Sequence, residues 1–164
     1  MKLYRVIQLH NCFFAIAAKP NSDKLLSELT RLKKEGVEEL FSLIEPHEAA
    51  WLDLSSEEQA AAIVGLQFTH CPMPDREPPR DLGRLLALTE RVIHNLDSGS
   101  SSVIHCVGGI GRSGLVALAV LINRGFEVGE AIEHVAAVRG RKAPDTASQL
   151  LWFKENASLL KIAK

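Results

Sequence analysis

The sequence predicts an α/β fold, a central and mostly parallel sheet with helices on both faces. Three observations carry this expectation. Short β-type runs alternate along the chain with longer segments of helical periodicity, which is the pattern of strand–helix–strand units. One such run, Ser102-Val103-Ile104-His105, breaks into a glycine-rich loop that feeds straight into a helix, the arrangement found at the carboxyl edge of a parallel sheet. The segment that follows, residues 115–122, is apolar all round and must therefore be buried.

Each element can be justified in order. Residues 3–9 and 13–17 form a hairpin turning at His10-Asn11. Pro20-Asn21-Ser22 starts a helix with Leu25, Leu26, Leu29 and Leu32 on one face, and Gly36 ends it. Residues 37–44 are the next strand, and 45–51 read as short and irregular. Ser55 and Glu58 have the spacing of a capping box for a short helix. Residues 66–70 are a strand, followed by a loop over 71–80 with prolines at 72, 74, 78 and 79. Asp81 can cap a helix whose apolar face is Leu82, Leu85, Leu86, Val92, Ile93 and Leu96. Ser98 to Ser101 turn the chain into the 102–105 strand. Asn123-Arg124-Gly125 closes the buried helix. Two amphipathic helices follow, one carrying Val128, Ala131, Ile132, Val135 and Val138, the other Leu150, Phe153, Ala157 and Leu160. Without repeats, low complexity or a linker, the 164 residues read as a single domain over 1–164.

Composition bounds the function. A net charge of −1 gives no argument for nucleic acid or an anionic membrane as partner. Three cysteines without paired spacing argue against a disulfide framework or a zinc site. His10, His47, His70, His94 and His134 have no ligand spacing, so no metal and no cofactor is predicted. Lys2 and Arg5 precede an apolar stretch, but Gln8, His10 and Asn11 interrupt it, and a hairpin is the better reading than a signal peptide. No run is long and apolar enough to span a bilayer. A working thiolate fits a reducing compartment, and a cytoplasmic location is expected.

The chemistry concentrates in His105-Cys106-Val107-Gly108-Gly109-Ile110-Gly111-Arg112-Ser113-Gly114. A loop of this kind points successive backbone N–H groups inward, and the helix beginning near Arg112 adds partial positive charge. Residues 107–112 (Val107, Gly108, Gly109, Ile110, Gly111, Arg112) thus make a cradle for a dianion, with a thiol at one lip and a guanidinium at the other. An ordinary thiol is only about 3% thiolate at neutral pH, and such a cradle favours the charged, nucleophilic form. Arg112 can clamp two phosphoryl oxygens with a geometry that lysine lacks. The Cys-x5-Arg spacing alone is weak. The three glycines, the hydroxyl at Ser113 and the strand-to-helix context make it specific. The bland alternative is a tight turn with an inert, buried cysteine. The expected reaction is attack of Cys106 on a phosphoryl group, which also needs a general acid for the leaving oxygen.

His-Cys-x5-Arg-Ser resembles the signature of the cysteine-based protein tyrosine phosphatase superfamily. Gly-Gly-Ile-Gly-Arg-Ser-Gly looks like its dual-specificity branch, and the likeness runs loosely from about Gly36 to Phe153. The resemblance implies phosphotyrosine proteins, with phosphoserine and phosphothreonine, as substrates, and a cysteinyl-phosphate intermediate. It implies that Asp75, in Pro72-Met73-Pro74-Asp75, is the acid; Glu77 and Asp81 are rivals, Asp81 better explained as a cap. It gives Ser113 a hydrogen bond to the Cys106 sulfur and His105 a structural role tuning the thiolate through hydrogen bonding. It puts Gln149 beside the site, and makes Cys71 a conceivable redox partner of Cys106. The chain departs from the pattern at Arg76-Glu77-Pro78-Pro79, where relatives carry small residues. Two other functions are consistent with such a loop: a phosphoinositide phosphatase, against which the neutral Val107 and Ile110 argue, and a non-catalytic phospho-binding module, against which Cys106 and Arg112 argue.

Overall fold

The computed structural model describes residues 1–162. A five-stranded sheet runs in the order β1-β2-β5-β3-β4, where β1 is Tyr4–Gln8, β2 Phe13–Ala18, β3 Val37–Ser42, β4 Gln67–His70 and β5 Ser101–Cys106. The hairpin β1–β2 is antiparallel and every other pairing is parallel. The mostly parallel sheet expected from the sequence is therefore present, with one antiparallel edge.

The central strands β2, β3 and β5 are largely buried on both faces because their side chains alternate between two apolar layers. Phe13, Ala15 and Ala17, Leu40 and Val103 point to one layer, filled by Leu25, Leu29 and Leu32 of α1 (Leu25–Lys34) and by Ala60 and Ala61. Phe14, Ile16, Phe41 and Ile104 point to the other. There they meet α4 (Leu82–Asp97), α5 (Arg112–Asn123), α6 (Val128–Arg139) and Phe153 of α7 (Ala147–Asn156). Every residue of α5 from Arg112 to Ile122 is buried, as its apolar circumference requires. Asp81 caps α4 by accepting from the Arg84 N–H at 3.0 Å. A buried carboxylate, Glu39, pins α4 to the sheet by accepting from Asn95 (2.6 Å), Arg91 (3.0 Å) and Thr69 (2.7 Å).

Two local expectations are corrected. Residues 45–51 are not irregular: Pro46–Trp51 is a helix, α2, with Glu45 and Glu48 forming a reciprocal capping box. Proline at the first helical position is compatible with this start. The Ser55–Glu58 box is absent, because α3 spans Glu57–Val64 and its cap residue is Ser56, which makes no side-chain capping bond. No helix among the described residues is long and apolar enough to cross a membrane.

Candidate active site

β5 lies between β2 and β3 and delivers Cys106 to the carboxyl edge of the sheet, level with Ala18. The chain then turns through the loop into α5. Lys19 N–H holds the Val107 carbonyl at 3.2 Å. The Gly109 N–H donates to Cys106 Sγ at 3.2 Å. The N–H groups of Gly108, Ile110 and Gly111 take no acceptor among the described residues, which leaves donors at the N-terminus of a twelve-residue helix for an anion.

The three loop glycines do different things. Gly109 has φ +64° and lies so close to β2 that a Cβ would come within 2.3 Å of the Ala17 carbonyl carbon. A Cβ on Gly111 would meet the Gln149 amide at 3.0 Å. Gly108 has ordinary space, its nearest neighbour being Ile110 Cδ1 at 3.7 Å.

Arg112 is 1% exposed, an extreme position for a guanidinium. Glu48 braces it with two bonds, Oε2 to Nη1 at 2.5 Å and Oε1 to Nη2 at 3.0 Å. Nη1 also donates to the carbonyls of Leu43 and Met73, both at 3.3 Å. Burial disfavours the charge, yet the bond from Glu48 and the neighbouring Cys106, Glu48 and Asp75 outweigh it and hold the Arg112 pKa above its ordinary value. Burial likewise opposes charge on Glu48, but Arg112 and the Glu45 N–H prevail and hold its carboxyl below the usual range. Arg112 Nε is buried and has no hydrogen-bond partner, so the Nε–Nη2 edge keeps an unused donor. Asp75 Oδ1 lies 3.0 Å from Nη2.

The structure therefore brings Cys106, Arg112 and Asp75 together. Of the rivals, Glu77 pairs with Arg80 at 3.0 Å on the surface and Asp81 caps α4. Gln149 is fully buried and stands against Gly111. Its Oε1 accepts from Thr146 N–H in the α7 capping box and its Nε2 donates to the Glu77 carbonyl at 3.1 Å. Arg76 pairs with Asp145 at 3.2 Å on the surface.

Three expectations are corrected. Ser113 Oγ is buried and makes no hydrogen bond, to sulfur or otherwise; the backbone N–H of Gly109 holds the sulfur instead. His105 makes no hydrogen bond toward Cys106. Successive strand residues face opposite ways, and its ring lies against α3, with Nε2 2.9 Å from Glu57 Oε1 in a fully buried contact. That contact has ion-pair distance without hydrogen-bond alignment. Cys71 and Cys106 each follow the residues paired with Ser42 of β3 on either side, so they stand two strand spacings apart, about 9–10 Å. A disulfide needs Cα atoms within about 7 Å, and burial moreover pushes the Cys71 thiol up, Glu39 adding to it against Arg84. Cys71 instead lines a cleft of about 670 Å³ between the 71–80 loop and α4, which includes neither Cys106 nor Arg112.

Glu48, Glu57 and Arg139, which binds the loop carbonyls, were not indicated by the sequence. Glu48 and Arg112 are 64 residues apart; the only local signal was the Glu45–Glu48 spacing, which marks α2 but not its target.

Comparison with solved structures gives the class. Kinase associated phosphatase, with serine in place of its catalytic cysteine, superposes with a TM-score of 0.83 at 24% identity over 92% of this chain and 89% of that one. The active form of Tk-PTP superposes at 0.74 with 25% identity over 93% and 94%. The fold is thus that of the protein tyrosine phosphatases. Residues 17–126 match the model described as Tc-R-P, polymorphic toxin system, DSP-PTPase phosphatase, and the chain belongs to that family of cysteine-based, dual-specificity-type phosphatases. Similar curated proteins are cyclin-dependent kinase inhibitor 3 of Rattus norvegicus, 29% identical over 76% of this chain and 59% of its own length, and probable protein tyrosine phosphatase type IVA A of Dictyostelium discoideum, 30% identical over 74% and 69%. The chain spans about three-fifths of the length of the first of these.

Proposed function

We propose that the protein hydrolyses phosphomonoesters on proteins, phosphotyrosine foremost with phosphoserine and phosphothreonine, in two metal-free steps. The observation that supports this reading is the unused Nε donor of a buried, doubly braced Arg112 with Asp75 3.0 Å from its Nη2. Two phosphoryl oxygens take the Nε–Nη2 edge, Asp75 moves off Nη2 to the leaving oxygen, and Cys106 lies in line behind. The Cys106 thiolate attacks phosphorus; the bond to the leaving oxygen breaks as Asp75 gives it a proton. Water then attacks the cysteinyl-phosphate and yields its proton to Asp75. The S–P bond breaks, and inorganic phosphate leaves with the thiolate restored. Charge accumulating on the equatorial oxygens is met by Arg112 and by the unpaired N–H groups of the 107–112 loop, those of Gly108, Ile110 and Gly111. A cytoplasmic location and a single domain over 1–164 complete the reading.

The test is a substrate panel of an aryl phosphate, phosphotyrosine and phosphothreonine peptides and phosphoinositides, with Cys106→Ser as control. Turnover of phosphopeptides that vanishes in Cys106→Ser is expected. Preference for the lipids would move the substrate class. Binding of phosphopeptides without turnover of anything would make the chain a phospho-binding module.

A further inference from the structure

Arg139 ends α6 and lies 30 residues from the loop it touches. Its Nε donates to the Gly109 carbonyl at 2.7 Å and its Nη2 to the Gly108 carbonyl at 3.0 Å. The guanidinium also stacks over the Tyr4 ring, Cζ 3.8 Å from its centre. Among the described residues no carboxylate lies within ion-pair distance of it, so its charge is directed at the loop.

The peptide joining Gly108 to Gly109 is one rigid plane, and it is trans. Its oxygen takes Arg139; its N–H, on the opposite side, donates to Cys106 Sγ at 3.2 Å. The next peptide carries the Gly109 oxygen, also on Arg139, and the Ile110 N–H opposite. Gly109 is left-handed at φ +64°, the kink that lets successive N–H groups converge on one side. The two carbonyls then converge on the other, where Arg139 is.

We propose that Arg139 is a positioning residue of the phosphate loop: by holding two consecutive carbonyls on one guanidinium it turns the Gly109 N–H onto the Cys106 sulfur and the Ile110 N–H toward the bound anion, and polarises both. This rests on Cys106 being the nucleophile. Lysine is a point donor and cannot span both oxygens.

The experiment measures alkylation of Cys106 by iodoacetamide against pH in the whole chain, by peptide mass spectrometry, with Cys12 and Cys71 as internal controls. Arg112, carrying Glu48 and Asp75, faces the same sulfur and stays unchanged throughout. In Arg139→Ala the midpoint is expected to rise by about one pH unit, which is about a tenfold loss of thiolate on the acid side. Arg139→Lys recovers only part, and kcat falls with little change in KM for an aryl phosphate. If Arg139→Ala fails to fold, Arg139→Gln, which keeps a donor but no charge, gives the same comparison. A folded variant with an unmoved midpoint overturns the proposal while leaving Cys106 as nucleophile. A wild-type midpoint equal to that of an ordinary free thiol overturns both.

Discussion

The two loops that meet at Arg112 are built differently. The phosphate loop is held from every side: β5 and the buried α5 fix its ends, Gly109 is pressed on β2, and Arg139 grips its carbonyls. The 71–80 loop is proline-rich, and Asp75, the proposed acid, is 54% exposed. Its first residues are tied down, by the Cys71 and Met73 N–H groups on the carbonyls of Ser42 and Leu43 and by the Met73 carbonyl on Arg112; from Asp75 onward it is held to the rest of the fold by single contacts: Arg76 with Asp145, the Arg76 carbonyl with Thr146, the Glu77 carbonyl with Gln149, and Asp75 with Arg112. The difference teaches a division of labour. Groups that stabilise charge must be in place before substrate arrives. In the proposed reaction Asp75 must first leave Arg112 Nη2, which the substrate takes.

Breaking the pre-formed side costs most. Arg112→Lys should lower kcat/KM for an aryl phosphate by about 10³ or more, since lysine replaces neither the fork nor its bonds to Glu48. Asp75→Ala should slow phosphopeptide hydrolysis by about 10²–10⁴ and hydrolysis of esters with good leaving groups far less. The same variant should bind inorganic phosphate more tightly, measured as product inhibition, because nothing then competes for Nη2. Equal loss on both substrates would give the acid role to another residue. Within the phosphate loop, Gly109→Ala should cost at least about 1–2 kcal/mol of stability from the left-handed backbone alone, with activity lost; Gly108→Ala should be close to silent. Thermal unfolding and turnover of the pair decide this.

Glu48 gives the pH prediction. Its pKa is lowered in the folded protein, so the stability it contributes is fully present above the unfolded carboxylate value and is lost as pH falls through the lower, folded value. Glu48→Gln should therefore flatten the acid limb of a stability–pH profile and raise KM at neutral pH. The smallest effect should come from Arg76→Ala, which removes an exposed pair worth under about 1 kcal/mol; a larger effect on kcat would mean that the 71–80 loop is more tightly coupled to α7 than its contacts suggest.

Much of the fold was legible because it is written in local periodicity. Alternation in β2, β3 and β5 and the all-apolar α5 specify layers without knowledge of partners. The Cys106–Arg112 loop and Asp75 could be singled out as candidates for the same reason: they sit in short, contiguous motifs, and the structure places them near one another. α2 was missed because its box begins with glutamate rather than the usual serine, threonine or aspartate. Glu48, Glu57 and Arg139 were missed because each meets its target from a distant segment, and no spacing records that. Ser113 and His105 show the converse. A motif names neighbours in sequence, while the sheet's alternation sends His105 to the opposite face from Cys106.

The central claim is that Cys106 carries the phosphoryl group. Acid-quenched turnover of an aryl phosphate, followed by mass analysis of the Cys106 peptide, tests it most directly. Phosphate on Cys106 in the wild type, absent together with turnover in Cys106→Ser, is the expected result. Phosphate on another residue, or undiminished turnover in Cys106→Ser, would contradict it.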